Sequence, residues 1–327
     1  MSDLILKKDV FSRWVREVMK SNEFIAPVSG NPQKTIQKSH YRKIESPDEI
    51  FLNQNTFYPI KNFFSGEEEV LFEFKGDNIL VPKLHIRNRV FFGIRRCDLN
   101  SIRHQDMVFM EEHPDLNYKV KREASVLIGY HCKETGPYCF CQSFDLKEFF
   151  DLMFHDKGDS YAVEIGSDKG GKFVRQYASF FGRAENVLTT EDRKIINKVH
   201  LNSKDIGGDY DNKAWEKGAD QCIECAACTI LCPNCHCFTI KDEVSMDLKS
   251  GKRVRTPASC LLPDFTRVAG DHIFRKTKLG RFKHRIYHQI EYFRERHGVE
   301  FCTGCGRCIE GCPPKIDWIS IINEMKK

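Results

Sequence analysis

Two cysteine strings near the C-terminus have the residue type and spacing of a specific chemistry. The first runs Cys222-Ile-Glu-Cys225-Ala-Ala-Cys228-Thr-Ile-Leu-Cys232-Pro233, and the second runs Cys302-Thr-Gly-Cys305-Gly-Arg-Cys308-Ile-Glu-Gly-Cys312-Pro313. Both read C-x2-C-x2-C-x3-C-P, the run with which thiolates hold paired [4Fe–4S] cubanes. Three closely spaced thiolates wrap one cubane, and the fourth, before proline, reaches across to its neighbour. The spacing therefore assigns Cys222, Cys225, Cys228 and Cys312 to one cluster, and Cys302, Cys305, Cys308 and Cys232 to the other. Structural zinc is the competing chemistry. Zinc sites usually separate their cysteine pairs by a longer arm, and neither string has that shape.

Four more cysteines lie in the N-terminal half: Cys97, Cys132, Cys139 and Cys141. Cys97 follows an apolar run ending at Ile94, and Cys132 follows one ending near Tyr130. Two parallel strands would bring both thiols to the crevice beyond the strand C-termini, where open α/β sheets bind ligands. The segment from Cys132 to Cys141 could then loop round a metal and close a four-thiolate site, the ligand number of a cubane. Four unrelated buried thiols are the alternative, because free cysteine is a common core residue. Spacing alone leaves both open.

Cys235, Cys237 and Cys260 are needed by neither string. Three thiols do not complete an ordinary cubane, and a lone His236 is the pattern of a structural histidine. A structural or cluster-shielding role is the simpler reading, since groups near cluster sulfurs tune reduction potential. Direct reduction of sulfur, polysulfide or a disulfide at these three thiols is the alternative.

The elements that must position these groups can be sketched from periodicity. Residues 8–20 place Val10, Phe11, Trp14, Val15, Val18 and Met19 on one helical face. Residues 23–28 and 56–59 read as extended, and the basic stretch 34–43 as a surface loop. Residues 89–94 and 125–130 read as buried strands, joined through a helix over 98–110 that turns Leu99, Ile102 and Met107 inward. That order predicts a crossover unit. Residues 147–154 and 161–165 read as a hairpin, and residues 190–200 as a helix capped at Thr189 or Thr190. Gly207 and Gly208 mark a boundary. The expected fold is an α/β domain over 1–205, followed by a two-[4Fe–4S] ferredoxin-like α+β domain over 206–327. About seventy residues separate Cys232 from Cys302, so the second domain carries an insertion, 238–300. It reads as long and helical, since Phe282, Ile286, Ile290 and Phe293 recur at helical spacing before Gly298.

Composition narrows the setting. The chain has 327 residues, 41% of them hydrophobic, enough for two cored domains, and 15 cysteines. The first twenty residues carry Asp3, Lys7, Lys8, Asp9, Arg13 and Arg16 with no apolar leader, and no stretch has the length of a membrane span. The expectation is a reducing cytoplasm, where clustered cysteines bind metal more often than they pair, and an anaerobic cell. A net charge of +5 is modest. Residues 249–255 and 275–296 are basic, the latter with interleaved aromatics, as in nucleic-acid-binding proteins. A solvated face, or a dock for an acidic redox partner, is the simpler reading, and no nucleic acid is expected.

From about Arg89 to Asn323 the chain resembles the iron–sulfur family that includes the beta subunit of sulfhydrogenase and the corresponding iron–sulfur subunit of anaerobic sulfite reductase. The likeness lies in Arg95-Arg-Cys97-Asp-Leu, Cys139-Phe-Cys141, Tyr161-Ala-Val-Glu-Ile-Gly-Ser, and the first string with its extension to Cys237-Phe. It continues through Ser259-Cys260, Ala269-Gly270, Phe274-Arg275, Arg281 to His288, and the second string with Ile316-Asp317. Arg96 stands where proline is usual and Ala226 where glycine is usual. The resemblance favours a third cluster at Cys97, Cys132, Cys139 and Cys141, and it implies that Cys235, Cys237 and Cys260 belong to a shared pattern.

No Gly-x-Gly-x-x-Gly follows a strand, Gly170-Gly171 lacks that spacing, and no serine–histidine or cysteine–histidine nucleophile stands out. The expected role is an electron-transfer subunit with no catalytic residue of its own. Clusters supply one-electron chemistry while the protein sets orientation and potential. Its expected partners are a diaphorase subunit that binds flavin and NAD(P)H, and a catalytic subunit of hydrogenase, sulfur reductase or sulfite reductase type.

Overall fold

The apolar runs at 89–94 and 125–130 form the centre of a sheet. The computed structural model describes residues 2–30, 38–84 and 86–326. Its strands are β1 (Ser2–Lys7), β2 (Glu23–Val28), β3 (His40–Lys43), β4 (Glu69–Lys75), β5 (Asn78–Leu80), β6 (Arg89–Ile94), β7 (Ser125–Tyr130), β8 (Leu152–Asp156), β9 (Ser160–Ile165), β10 (Gly182–Glu185), β11 (Phe238–Val244) and β12 (Ser250–Pro257). Eight of them form one mixed sheet in the order β10-β1-β9-β8-β7-β6-β2-β3. The pairs β2–β6, β6–β7 and β7–β8 are parallel.

Parallel strands need cover on both faces, and β6 is buried at every position. Val90 and Phe92 face a core under α1 (Lys8–Met19), where Trp14 stacks on Phe154 at 5.6 Å. Phe91 and Ile94 face the opposite core, with Leu99 and Ile102 of α2 (Arg96–Phe109) and Tyr118 of α3 (Leu116–Glu123). Strict alternation would put Ile94 beside Phe92. A bulge at Gly93, at φ 77°, shifts the register and turns Ile94 over. The expected crossover is present, built from two helices rather than one. α4 (Asp168–Gln176) closes the β9 side, with Phe173 and Val174 in the first core.

The C-terminal part contains α5 (Ala214–Gln221), α6 (Ala227–Ile230), α7 (Lys278–Tyr287), a π-helical turn His288–Tyr292, α8 (Phe293–His297), α9 (Arg307–Glu310) and α10 (Trp318–Met325). Trp215, Phe282, Ile286, Ile290, Trp318 and Ile322 form its core, together with Phe140, Phe144 and Leu146 from the N-terminal half. A second sheet, β11-β12-β4-β5, also draws on both halves. Arg255 of β12 and Lys121 of α3 both bond the buried Glu69 of β4 there.

Several local expectations are corrected. The insertion is not helical throughout. It opens with the β11–β12 hairpin and turns helical only at α7. Residues 190–200 form no α-helix beyond a short turn, Glu191–Arg193. Their backbone groups are taken by distant side chains, with Gln142 accepting from the Asn197 N–H and Thr135 donating to the Ile196 carbonyl. Residues 56–59 form no strand, because the Thr56 carbonyl accepts from Arg307 Nε at 2.7 Å. In the expected hairpin, β8 starts only at Leu152, since the Asn100 side-chain amide bonds both the N–H and the carbonyl of Lys147. In the basic stretch 34–43, residues 34–37 lie outside the described residues and His40–Lys43 is strand rather than loop.

Candidate metal centres

The first cysteine string leaves the end of α5, the second follows the irregular segment after α8, and both wind through the same backbone turns. In the first, Glu224 and Ala226 are left-handed, at φ 55° and 62°, and α6 starts at once. In the second, Gly304 and Gly306 occupy the equivalent places at φ 65° and 74°, and α9 follows. Alternating right- and left-handed residues turn successive N–H groups to one side, making a nest for an anionic group. The Gly304 N–H points at Cys302 Sγ, 3.4 Å away.

Four thiols surround the first nest. Cys222, Cys225 and Cys228 line one cavity with Cys312 of the other string, and Cys308 and Arg285 also stand in its largely apolar wall. The second set is similarly mixed, with the Cys302 thiol lying among Cys308, Cys305 and Cys232. Each string's fourth cysteine thus stands with the other string's first three. Cys97, Cys132, Cys139 and Cys141 line a separate cavity, together with Gly304 and Cys305. Cys97 opens α2 just after β6, and Cys132 follows β7, so the parallel pair delivers both to one sheet edge. Cys139 Sγ lies 3.6 Å from the Cys305 carbonyl oxygen.

The residues fit iron–sulfur groups in donor type and electrostatics. Burial pushes Cys228 and Cys139 up to about 12 and also raises Cys97, Cys141 and Cys302. Thiolates this crowded and buried ionise together only against cationic charge, which bound iron provides. Among the described residues no three His, Cys, Asp or Glu side chains converge on a single-ion position. The thiols stand instead round volumes.

Charged and amide side chains the sequence reading missed fill the spaces between these sets. Arg285 is buried beside Cys228, Cys308, Cys235 and Cys232, and it donates to the Cys228 carbonyl at 2.9 Å. Arg307 is 1% exposed and grips the fully buried Asp98 carboxylate through two bonds, at 2.5 and 2.7 Å. It also bonds Asn55 and Thr56, tying the second string to the residue after Cys97. Lys61 donates to the Thr229 and Cys235 carbonyls, both at 2.9 Å, and burial lowers its pKa. The π-helical turn contributes Gln289. Its carbonyl accepts from the N–H groups of Phe301 and Cys302, and its side chain lies between Cys232 and Cys235, at 3.7 and 3.6 Å. Such turns recur at functional sites. Trp318 donates its indole N–H to Cys308 Sγ at 3.3 Å. One signal was visible in the chain. Arg285 directly precedes Ile286 on the apolar face of α7.

Of the leftover thiols, Cys237 and Cys260 are neighbours, and Cys235 neighbours Cys232 of the second set. The Cys260 contact holds the Cys237 thiol below its ordinary value. His236 is half-buried against Phe109, Phe301 and His288 with Nδ1 3.1 Å from the Asn234 carbonyl, a structural setting.

Comparison with known proteins bears on the region of the two strings. The 4Fe-4S dicluster domain family matches residues 221–316, which hold both strings. Sulfhydrogenase 2 subunit beta of Pyrococcus furiosus is 29% identical over 340 residues, covering 98% of each chain. No solved structure matches. No described helix is long and apolar enough to cross a membrane. The likeness to that beta subunit runs through nearly the whole chain, and the dicluster match covers both strings. The chain has a two-cluster [4Fe–4S] domain at its C-terminus and the character of an iron–sulfur electron-transfer subunit.

Proposed function

We propose that this chain is the electron-transfer subunit of a cytoplasmic oxidoreductase complex, working between a subunit that binds flavin and NAD(P)H and a catalytic subunit. The relative's name points to a catalytic subunit of hydrogenase or sulfur reductase type, and the sulfite reductase type belongs to the same proposal. We further propose a third [4Fe–4S] site at Cys97, Cys132, Cys139 and Cys141, beside the two sites held by Cys222, Cys225, Cys228 and Cys312, and by Cys302, Cys305, Cys308 and Cys232. Bound there, the clusters supply one-electron chemistry.

One observation carries this reading: the three thiol sets form a row with shared walls. Cys308 belongs to the second set yet lines the first cavity, and Cys305 belongs to the second set yet lines the N-terminal cavity. The second string is therefore the middle station. Arg285 and Arg307 offset thiolate charge at its two junctions. Phe140 and Trp318, packed edge to face at 5.5 Å, keep water from its flank. Cys225, exposed at one end of the row, suits contact with a redox partner.

An anaerobic iron and acid-labile sulfide count with EPR on the reduced chain tests this. About twelve irons per chain, falling to about eight in Cys97→Ser/Cys139→Ser, is expected. About eight in the unaltered chain removes the N-terminal site, and zinc in place of iron removes the electron-transfer role.

A further inference from the structure

Cys237 and Cys260 belong to none of the three thiol sets. The β11–β12 hairpin brings them together. Cys237 immediately precedes β11, Cys260 lies just beyond β12, and the Ala258 N–H donates to the Cys237 carbonyl at 2.8 Å. Their thiols are free and close enough to perturb each other, the proximity that a disulfide between them would need.

The two differ in access. Cys260 is 4% exposed. Cys237 is half-buried and lines a cavity of about 300 Å³ with Lys61, Phe109, Phe238 and Ala258, a volume in the range of small-molecule sites. An accessible sulfur backed by a buried one is the arrangement of an attacking and a resolving thiol. Cys260 also neighbours Cys228, and Cys237 neighbours Cys232, thiols of two different sets.

We propose that Cys237 and Cys260 form a redox-active dithiol that reduces a small-molecule disulfide admitted by this cavity, an activity that rests on the electron-transfer reading above. The Cys237 sulfur attacks one sulfur of the incoming disulfide, forming a mixed disulfide and releasing one thiol. The Cys260 sulfur then attacks Cys237, closing an internal disulfide and releasing the second thiol. The substrate has gained two electrons and two protons, and the pair has lost them. Two electrons from the chain's iron–sulfur function and two protons from solvent in the cavity restore the dithiol.

The test uses the full chain, prepared anaerobically, reduced with dithionite, freed of excess and mixed with hydroxyethyl disulfide. Mass spectrometry after alkylation is expected to find a stable mixed disulfide on Cys237 in Cys260→Ser and an internal Cys237–Cys260 bond in the unaltered chain. The reduced EPR signal is expected to disappear at least about tenfold more slowly in Cys237→Ser. An adduct on another cysteine, or reoxidation of Cys237→Ser at the unaltered rate with full iron content, would overturn the proposal. If Cys237→Ser loses iron, the adduct map, read with Cys237 in place, decides alone. Failure of the electron-transfer reading is distinguishable, because it leaves the unaltered chain without a reducible EPR signal before any disulfide is added.

Discussion

The two cysteine strings share spacing and backbone but not surroundings. In the second, a Cβ on Gly304 would sit 2.5 Å from the Cys141 backbone, and one on Gly306 would sit 2.4 Å from the Tyr138 carbonyl oxygen. In the first, the equivalent places carry Glu224, whose carboxylate meets Arg281, and Ala226, and Cys225 is exposed. The nest requires a left-handed backbone in both strings. Glycine is required only where another segment closes down on it, which is why Ala226 can stand where glycine is usual.

The widest separation between the strings should come from Arg307→Met. It strands the Asp98 carboxylate in a fully buried position, at a cost of about 3–5 kcal/mol. Melting temperature should drop and iron should be lost from the N-terminal side, with part of both recovered in Arg307→Met/Asp98→Asn. Next is Gly304→Ala. Overpacking against Cys141 adds to left-handed strain, together about 2–4 kcal/mol by denaturant unfolding under anaerobic conditions. Retained stability there would refute the closeness of the second string to residues 138–141.

Arg285→Gln probes the junction between the strings. Loss of a buried cation beside Cys228 and Cys308 should lower the reduction potential of an adjacent cluster. About 60 mV, or ~1.4 kcal/mol for one electron, is expected in an EPR redox titration. An unchanged potential would mean that the guanidinium is screened from the iron.

Acid should loosen the second sheet, where β12 of the insertion pairs with β4. Burial alone would raise the Glu69 and Asp115 carboxyls, but bonds from Lys121 and Arg255 outweigh it and hold both below the ordinary range. Depressed carboxylates stabilise the fold above the unfolded values of about 4, and that contribution is lost as pH falls through the folded ones. Hydrogen-exchange protection in β12, corrected for the intrinsic exchange rate, should fall on acidification, less steeply in Glu69→Gln. The smallest effect is Ala226→Gly, which relieves one left-handed alanine and should stabilise by about 1 kcal/mol or less. A destabilised variant would show that the first string, too, needs its side chain.

Much of the frame was legible in the chain. β2, β6, β7 and α1 follow from short-range apolar patterns, and these hold because burial selects them locally. Residues 190–200 misled because their apolar spacing suits a helix, while Gln142 and Thr135 bind the backbone groups such a helix would need. The β11–β12 hairpin was missed because β11 is largely exposed and Asp242 interrupts its alternation of Phe238, Ile240 and Val244.

What the sequence determined by itself was the ligand chemistry of each string. Within eleven residues, covalent reach and backbone turns confine where thiols can go, so spacing alone reports the group they hold. The tertiary structure decided which distant groups meet: the N-terminal thiols at one sheet edge, Arg307 on Asp98 across 209 residues, and Cys237 beside Cys260. Those meetings depend on strand register and core packing, which sum weak contacts over the whole chain and leave no local spacing to read.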